Sequence, residues 1–348
     1  MKTNLSKKIP VAVLGATGAV GQRFVQLLAD HPWFEVVALT GSVRSVGKAY
    51  GETRWVLDGD PPETARNLII RHSTPDLPAK LVFSALPSSH AKEIEPRFAA
   101  AGYAVCSNAS AYRQAAGVPL IIPEVNGDHL VLIKRQRAER GWPGLIVTSP
   151  NCTTSGLAMT LKPLDDAFGV RQVFVTTMQA VSGAGYPGVS YLDIDGNVIP
   201  YIGGEEDKIE NEACILLGHI ENDSRRAADF LVSAQANRVP VFDGHTLSIA
   251  VGFERKPSPE EATRVLVDFP GLDLPSAPPR PVLVRSEADR PQPRRDRSTA
   301  EGMAVTVGRI RECPILDLRM VSVVHNTLRG AASGSILNAE LLVAEGYL

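Results

Sequence analysis

The chain contains no run of the roughly 18 consecutive apolar residues that a membrane helix requires, so no spanning segment is expected. A charge excess is missing too. Its 36 basic and 38 acidic residues leave a formal net charge of -2, with no basic field for nucleic acid and no acidic tail. The expected partner is therefore a small molecule, with no nucleic acid and no membrane bound. Cysteine is scarce: Cys106, Cys152, Cys214 and Cys313 lie far apart, without a C-x-x-C pair or a disulfide-like framework, and no metal site is expected. The stretch from Met1 to Lys8 has none of the apolar core of a signal peptide. A reducing, cytoplasmic setting is expected, in which each cysteine is either buried filler or a working thiol. Internal repeats are lacking as well.

What is present is an ordinary globular composition, 44% apolar and 21% charged, in a chain of 348 residues, long enough for two cores. Over residues 1–150, short apolar runs alternate with helix-like stretches. Ile9–Leu14, Glu35–Thr40, Leu81–Ala85 and Tyr103–Ser107 read as strands, and Gln22–Asp30 reads as a helix. Runs without polar alternation belong to buried parallel strands, so the pattern predicts an α/β fold with a Rossmann-type doubly wound parallel sheet. A boundary is read at Ser149-Pro150. Beyond it, Gln172–Val181 and His245–Glu254 read as longer strands of an α+β domain whose sheet is mixed or antiparallel. Ser258-Pro259-Glu260-Glu261 has the form of a capping box that starts a helix. The Pro- and Arg-rich residues 270–297 read as an exposed connection or edge, and residues 330–348 as a C-terminal helix.

Gly15-Ala16-Thr17-Gly18-Ala19-Val20-Gly21 falls between the first strand and its helix. Glycines there allow a tight turn and close approach of a pyrophosphate to the free N–H groups of the helix N-terminus. A nicotinamide dinucleotide is the expected cofactor. After the second strand, where an NAD enzyme usually places an acidic residue, the chain runs Thr40-Gly41-Ser42-Val43-Arg44-Ser45-Val46-Gly47-Lys48. Ser42, Arg44 and Lys48 are suited to a 2′-phosphate instead, and NADP is favoured.

Ser149-Pro150-Asn151-Cys152-Thr153-Thr154 precedes an apolar helical stretch, which puts Cys152 at a helix N-terminus. Unsatisfied N–H groups there favour thiolate and are expected to lower the thiol pKa. The other three cysteines are read as buried filler. Of the seven histidines, His245 opens a strand after an Asp-Gly turn and can reach into a cleft, whereas His72, His129 and His219 sit among polar residues. Spacing alone leaves open whether Arg238 and His245 converge.

These segments resemble the aspartate-β-semialdehyde dehydrogenase family in its archaeal and fungal branch. The resemblance also rests on Gln179-Ala180-Val181-Ser182-Gly183-Ala184-Gly185, Ile202-Gly203-Gly204-Glu205-Glu206-Asp207-Lys208, Asn237-Arg238-Val239-Pro240-Val241 and Asn326-Thr327-Leu328-Arg329-Gly330. It implies Cys152 as nucleophile, His245 as acid–base and Gln179 as the residue that orients substrate at the thiol. Arg238 would grip a carboxylate and Glu205 an ammonium, while Arg113, Asn151 and Lys208 would hold phosphate. Gly15, Thr17, Gly18, Ala19, Val20, Gly21, Ser42, Arg44 and Ser84 would line the dinucleotide, with Ser182, Gly183 and Asn326 at its nicotinamide end. The implied architecture is an NADP-binding domain over residues 1–150, completed by a helix within 326–348, and a catalytic and oligomerisation domain over 151–325. A homodimer or homotetramer is implied. Rival activities on the same scaffold are malonyl-CoA reduction and N-acetylglutamyl-phosphate reduction. A non-catalytic NADP sensor would need neither Cys152 nor His245.

Overall fold

The structure, a computed structural model, describes residues 7–348; the N-terminal reading above rests mostly on Met1 to Ser6, which lie outside the described residues. The first sheet holds β1 (Ile9–Leu14), β2 (Phe34–Thr40), β3 (Ile70–Arg71), β4 (Leu81–Ser84), β5 (Ala104–Ser107) and β6 (Leu145–Thr148). Their order is β3-β2-β1-β4-β5-β6 and every pairing is parallel. Such sheets are covered on both faces. That explains why Val11, Ala12, Val13 and Leu14 are all fully buried and carry no polar alternation. The order reverses between β1 and β4, and ligands of doubly wound sheets bind at that switch. The first helix, Ala19–Leu28, starts three residues earlier than read, directly behind Gly18.

The second sheet holds β7 (Val170–Gln179), β10 (Leu231–Arg238), β11 (His245–Phe253), β12 (Val282–Arg285), β13 (Val305–Glu312) and β14 (Leu318–Val324), while β8 (His219–Glu221) and β9 (Ser224–Arg226) form a separate hairpin. Its order is β10-β7-β11-β14-β13-β12. The outer pairs β10/β7 and β13/β12 are parallel and the inner ones antiparallel, so the sheet is mixed. The helices Cys152–Phe168, Glu205–Leu216 and Pro259–Val267 bury Leu157, Leu161, Ile209, Ala213 and Leu266 with Leu247, Ile249 and Val251 from the sheet. Away from that core the strands alternate outward, exposing Phe174 and Leu231.

Residues 270–297 supply the edge strand β12, as read, but are not exposed throughout. Asp296 is fully buried and accepts hydrogen bonds from Arg290 Nε (2.8 Å) and Gln292 N (2.6 Å). The Ser258 capping box is present: Ser258 Oγ accepts from Glu261 N (3.1 Å) and Glu261 Oε2 accepts from Ser258 N (2.8 Å). The C-terminal helix, Ala332–Ala344, packs Ile336, Leu337 and Leu342 against Phe24, Val25 and Leu28 of the first unit. Its buried Glu340 accepts from His31 Nε2 (2.8 Å) and Ser276 N (3.0 Å), tying three distant segments together. Among the described residues no helix is long and apolar enough to cross a membrane.

Arg329 forks onto Glu124, Nη1 to Oε1 at 2.9 Å and Nη2 to Oε2 at 2.6 Å, and both are buried. Arg329→Leu would leave Glu124 charged and unpaired, so a loss of about 3–5 kcal/mol is expected. Removing the half-buried, uncharged cap with Ser258→Ala should cost only about 1 kcal/mol. Denaturant midpoints of the two variants measure this, and comparable losses would contradict the ranking.

Candidate active site

Gln179 ends β7, Arg238 ends β10 in register with it, and His245 opens β11, where Thr246 pairs with Met178. Three side chains that are distant in sequence therefore share one edge of three adjacent strands. Cys152 is the first residue of the helix Cys152–Phe168, and its Sγ lies 3.2 Å from His245 Nε2. The main chain of one residue, Ala180, fixes this arrangement. Ala180 N donates to His245 Nδ1 (3.1 Å), and Ala180 O accepts from Arg238 Nη1 (2.8 Å). An amide N–H can only donate, so Nδ1 is the lone-pair nitrogen and Nε2 carries the ring proton, aimed at the thiol. Arg238 and His245 thus converge, a point that spacing left open. The loop over them must be glycine, because a β-carbon at Gly183 would come within 2.8 Å of Arg238 Nη1 and 3.0 Å of His245 Cε1. At Gly330 it would sit 2.6 Å from Cys152 Cβ. Gln179 is buried, and its Nε2 donates to Thr177 Oγ1 at 3.3 Å.

The helix Glu205–Leu216 brings charge to the other side of the thiol. Asn151 caps the nucleophile's helix: its Oδ1 accepts from Thr153 N (2.9 Å) and Thr154 N (3.1 Å). Its Nδ2 donates to Glu205 Oε1 (2.8 Å) and its backbone N to Glu212 Oε2 (2.6 Å). Arg113, also buried, donates from Nη1 to Glu212 Oε1 (3.0 Å) and from Nη2 to Asn108 O (2.9 Å). Lys208 Nζ lies 3.6 Å from Glu205 Oε2 on the helix's more open side. Arg113, Asn151 and Glu205 are therefore brought to Cys152, and Lys208 joins the group only through Glu205. Glu212 escaped the sequence reading. Its signal was the seven-residue spacing from Glu205, which puts both carboxylates on one helix face.

The resting pair is neutral. Burial pushes the Cys152 thiol up to about 12, with the Glu205 charge adding to the rise and Arg113 and the Thr153 groups opposing it. This corrects the expectation of a lowered thiol, because desolvation outweighs the helix N-terminus. Burial pulls His245 down to about 3, and Arg238 and His325 act in the same direction. One further reading needs correction: Cys214 and Cys313 are only half-buried, unlike the enclosed Cys106. Among the described residues no group of three or more His, Cys, Asp or Glu is placed to hold a metal ion.

At the first sheet's switch point the glycine loop has the shape of a phosphate cradle. Gly15 has φ +73°, and a β-carbon on Gly21 would lie 2.2 Å from Gly15 O, so the helix sits directly on the turn. At Gly18 a β-carbon would meet nothing closer than Gly15 O at 3.6 Å, leaving the outer side of the turn open. Tyr50 Oη donates to Ala16 O (2.9 Å) and Gln22 Nε2 to Thr17 O (3.3 Å), bracing the loop from behind. Ala19 and Val20 begin the helix, so their N–H groups lack partners within it. Ser42 and Arg44 are exposed beyond β2, and Ser84 is buried at the end of β4. Asn326 Nδ2 donates to Ser182 Oγ (2.8 Å) and its Oδ1 accepts from Gly244 N (2.9 Å), joining this region to the His245 turn. The open face of this loop and the free N–H groups of the helix behind it fit the phosphates of a dinucleotide.

Two family profiles match the chain: the semialdehyde dehydrogenase NAD binding domain over residues 10–133 and the semialdehyde dehydrogenase dimerisation domain over 161–329. The aspartate-semialdehyde dehydrogenase of Archaeoglobus fulgidus is 53% identical over 337 residues, spanning 96% of this chain and 98% of that protein. That of Methanothermobacter thermautotrophicus is 50% identical, spanning 96% of this chain and 99% of the relative. The crystal structure of the Candida albicans aspartate semialdehyde dehydrogenase with NADP superposes with a TM-score of 0.90. It is 41% identical, covering 98% of this chain and 100% of that one.

A thiol held near 12 titrates above the working range, so its thiolate fraction rises about tenfold per pH unit below that value. His245, held near 3, stays neutral across the same range. Alkylation of Cys152 by iodoacetamide in the free protein should therefore climb steadily from pH 6 to 9. A rate that levels off near neutrality would reveal a thiolate–imidazolium pair and overturn the neutral resting state.

Proposed function

The chain belongs to the aspartate-semialdehyde dehydrogenase family, in its archaeal and fungal branch, and we propose that it carries out the family reaction through a thioester on Cys152. That reaction is the reversible, NADPH-dependent reduction of β-aspartyl phosphate to aspartate semialdehyde and phosphate, a step toward lysine, threonine, methionine and isoleucine. The observation that carries this reading is the 3.2 Å approach of Cys152 Sγ to His245 Nε2 at a helix N-terminus ringed by Arg113, Glu205 and Arg238.

Arg238 takes the substrate carboxylate and Glu205 its ammonium, while Gln179 orients the carbonyl at sulfur. Arg113, Lys208 and Asn151 receive the phosphate. The Cys152 sulfur attacks the acyl carbon while its proton passes to a phosphate oxygen of the substrate, the carbon–oxygen bond to phosphate breaks, and a thioester remains. Ser182, Gly183 and Asn326 would hold the nicotinamide end of NADPH, which when bound would supply the hydride for this thioester. His245 stands at the acid–base position and acts as a hydrogen-bond donor through the hydrogen on Nε2. Its hydrogen steadies charge on the sulfur before attack, and again when the carbon–sulfur bond of the hemithioacetal breaks and sulfur takes the electron pair. The glycine loop Gly15–Gly21 holds the pyrophosphate, and Ser42 and Arg44 the 2′-phosphate.

The chain is a homo-oligomer through its dimerisation domain. We assign a dimer or tetramer built on the sheet face that exposes Phe174 and Leu231, and a cytoplasmic setting. Residues 1–150 with 326–348 form the cofactor domain in this reading, and 151–325 the catalytic one.

N-acetylglutamyl phosphate lacks the ammonium that Glu205 would meet, so Glu205 would keep only its resting partners, Asn151 and Lys208 among them, and add nothing to its binding. Malonyl-CoA lacks both the amine and a departing phosphate. NADP reduction should therefore require aspartate semialdehyde together with phosphate. A higher kcat/KM for malonyl-CoA with NADPH would reject the reading.

Cys152→Ala should abolish turnover while NADP binding and the melting temperature hold, and intact-mass analysis should find the acyl adduct on Cys152. An adduct on Cys106 or Cys214 would remove Cys152 from its role. Arg44→Ala should raise the KM for NADP and narrow its advantage over NAD. Unchanged constants for both cofactors would exclude Arg44 from the 2′-phosphate site.

A further inference from the structure

We propose that Glu212 is the positioning residue of the phosphate subsite, setting Arg113 against the nucleophile's loop without touching substrate. It lies two helical turns beyond Glu205 on the same face. Only 2% of it is exposed, and its two oxygens have different partners: Oε1 accepts from Arg113 Nη1 (3.0 Å), and Oε2 from the backbone N of Asn151 (2.6 Å), the residue before Cys152. A single carboxylate thus links the guanidinium proposed to receive phosphate to the chain that carries the sulfur. Arg113 has one other anchor, Asn108 O at 2.9 Å, and its buried Nε has no hydrogen-bond partner among the described residues. Without Glu212 this cation would be buried without its paired countercharge and held by Asn108 O alone. A carboxylate rather than an amide is needed, because both partners are N–H donors. An amide could accept from Asn151 but would turn its own N–H group toward Arg113.

This inference rests on the acyl-phosphate reading of the site. In the oxidative direction, Glu212→Gln should keep the Asn151 contact and release Arg113. The KM for inorganic phosphate is expected to rise about tenfold or more, with the KM values for aspartate semialdehyde and NADP within about twofold of the parent. Because Glu212 acts through Arg113, adding Glu212→Gln to Arg113→Ala should change the phosphate KM no further. An unchanged phosphate KM in Glu212→Gln, or a double variant whose losses multiply, overturns the assignment while leaving the family reaction standing. A parent enzyme that reduces NADP without needing phosphate overturns both. If Glu212→Gln does not fold, Glu212→Asp decides. It keeps the charge on a shorter stem, so a selective rise in phosphate KM supports the role, and parental constants reject it.

Discussion

The main chain of Ala180 is the constraint on which the active site depends. Its N–H fixes one nitrogen of His245, and its carbonyl fixes the guanidinium of Arg238. The nitrogen left over faces Cys152 Sγ. Ala180 can do this because β7 and β10 end, and β11 begins, side by side, with Gln179 and Arg238 in register. The tautomer, the orientation of the ring and the location of a carboxylate-binding fork all follow from one short stretch of main chain at a sheet edge. The absent side chain at Gly183 is part of the same constraint, since any β-carbon there would displace both side chains.

A dry site has an electrostatic consequence. Enclosure raises the thiol and lowers the imidazole, so neither charge is present at rest. Charge is instead stored in groups that compensate one another: Arg113 with Glu212, and Lys208 with Glu205. An acyl phosphate would bring a dianion beside the first pair and the carboxylate–ammonium pair of aspartate beside Arg238 and Glu205. The site is thereby matched to a ligand carrying several charges in a fixed pattern. A thiol reagent without such charges finds the sulfur protonated.

Much of this was legible in the sequence, and what was missed has physical causes. The strands of the first sheet announce themselves as uninterrupted apolar runs because both faces are covered. β3, only two residues long, is too short to carry a pattern, and β6 lies against the Ser149-Pro150 boundary. In the second sheet β7 and β11 showed as longer runs rich in Val, Thr and Phe, but the parallel outer pairs depend on crossovers that no local pattern records. Cys152 and His245 could be singled out one at a time. Their approach could not, nor could that of Arg238, because it is a property of strand order. The sign of the thiol shift was misread for a related reason: the helix N-terminus is visible in sequence, whereas the surrounding burial is not. Glu212 was hidden differently, as one more carboxylate on an acidic helix until its two partners were placed.

The course of the chain after β14 explains how the cofactor cradle and the nucleophile are kept in fixed relation. β14 delivers Asn326, which pins both the Ser182 loop and the turn before His245. The next turn sets Gly330 directly on Cys152, and the buried fork of Arg329 on Glu124 holds that turn against the first unit. The chain then ends in the helix Ala332–Ala344, which packs on the helix behind the glycine loop and also donates from Asn338 Nδ2 to Ser149 Oγ (3.1 Å), three residues before the nucleophile. One segment therefore touches the His245 turn, Cys152, the loop leading to it and the dinucleotide unit in succession. Hydride transfer tolerates little error in distance, and two units joined by a single crossing would rock against each other. A chain that returns to its first unit across the sulfur removes that freedom, which accounts for a C-terminal helix buried among residues of the opposite end of the sequence.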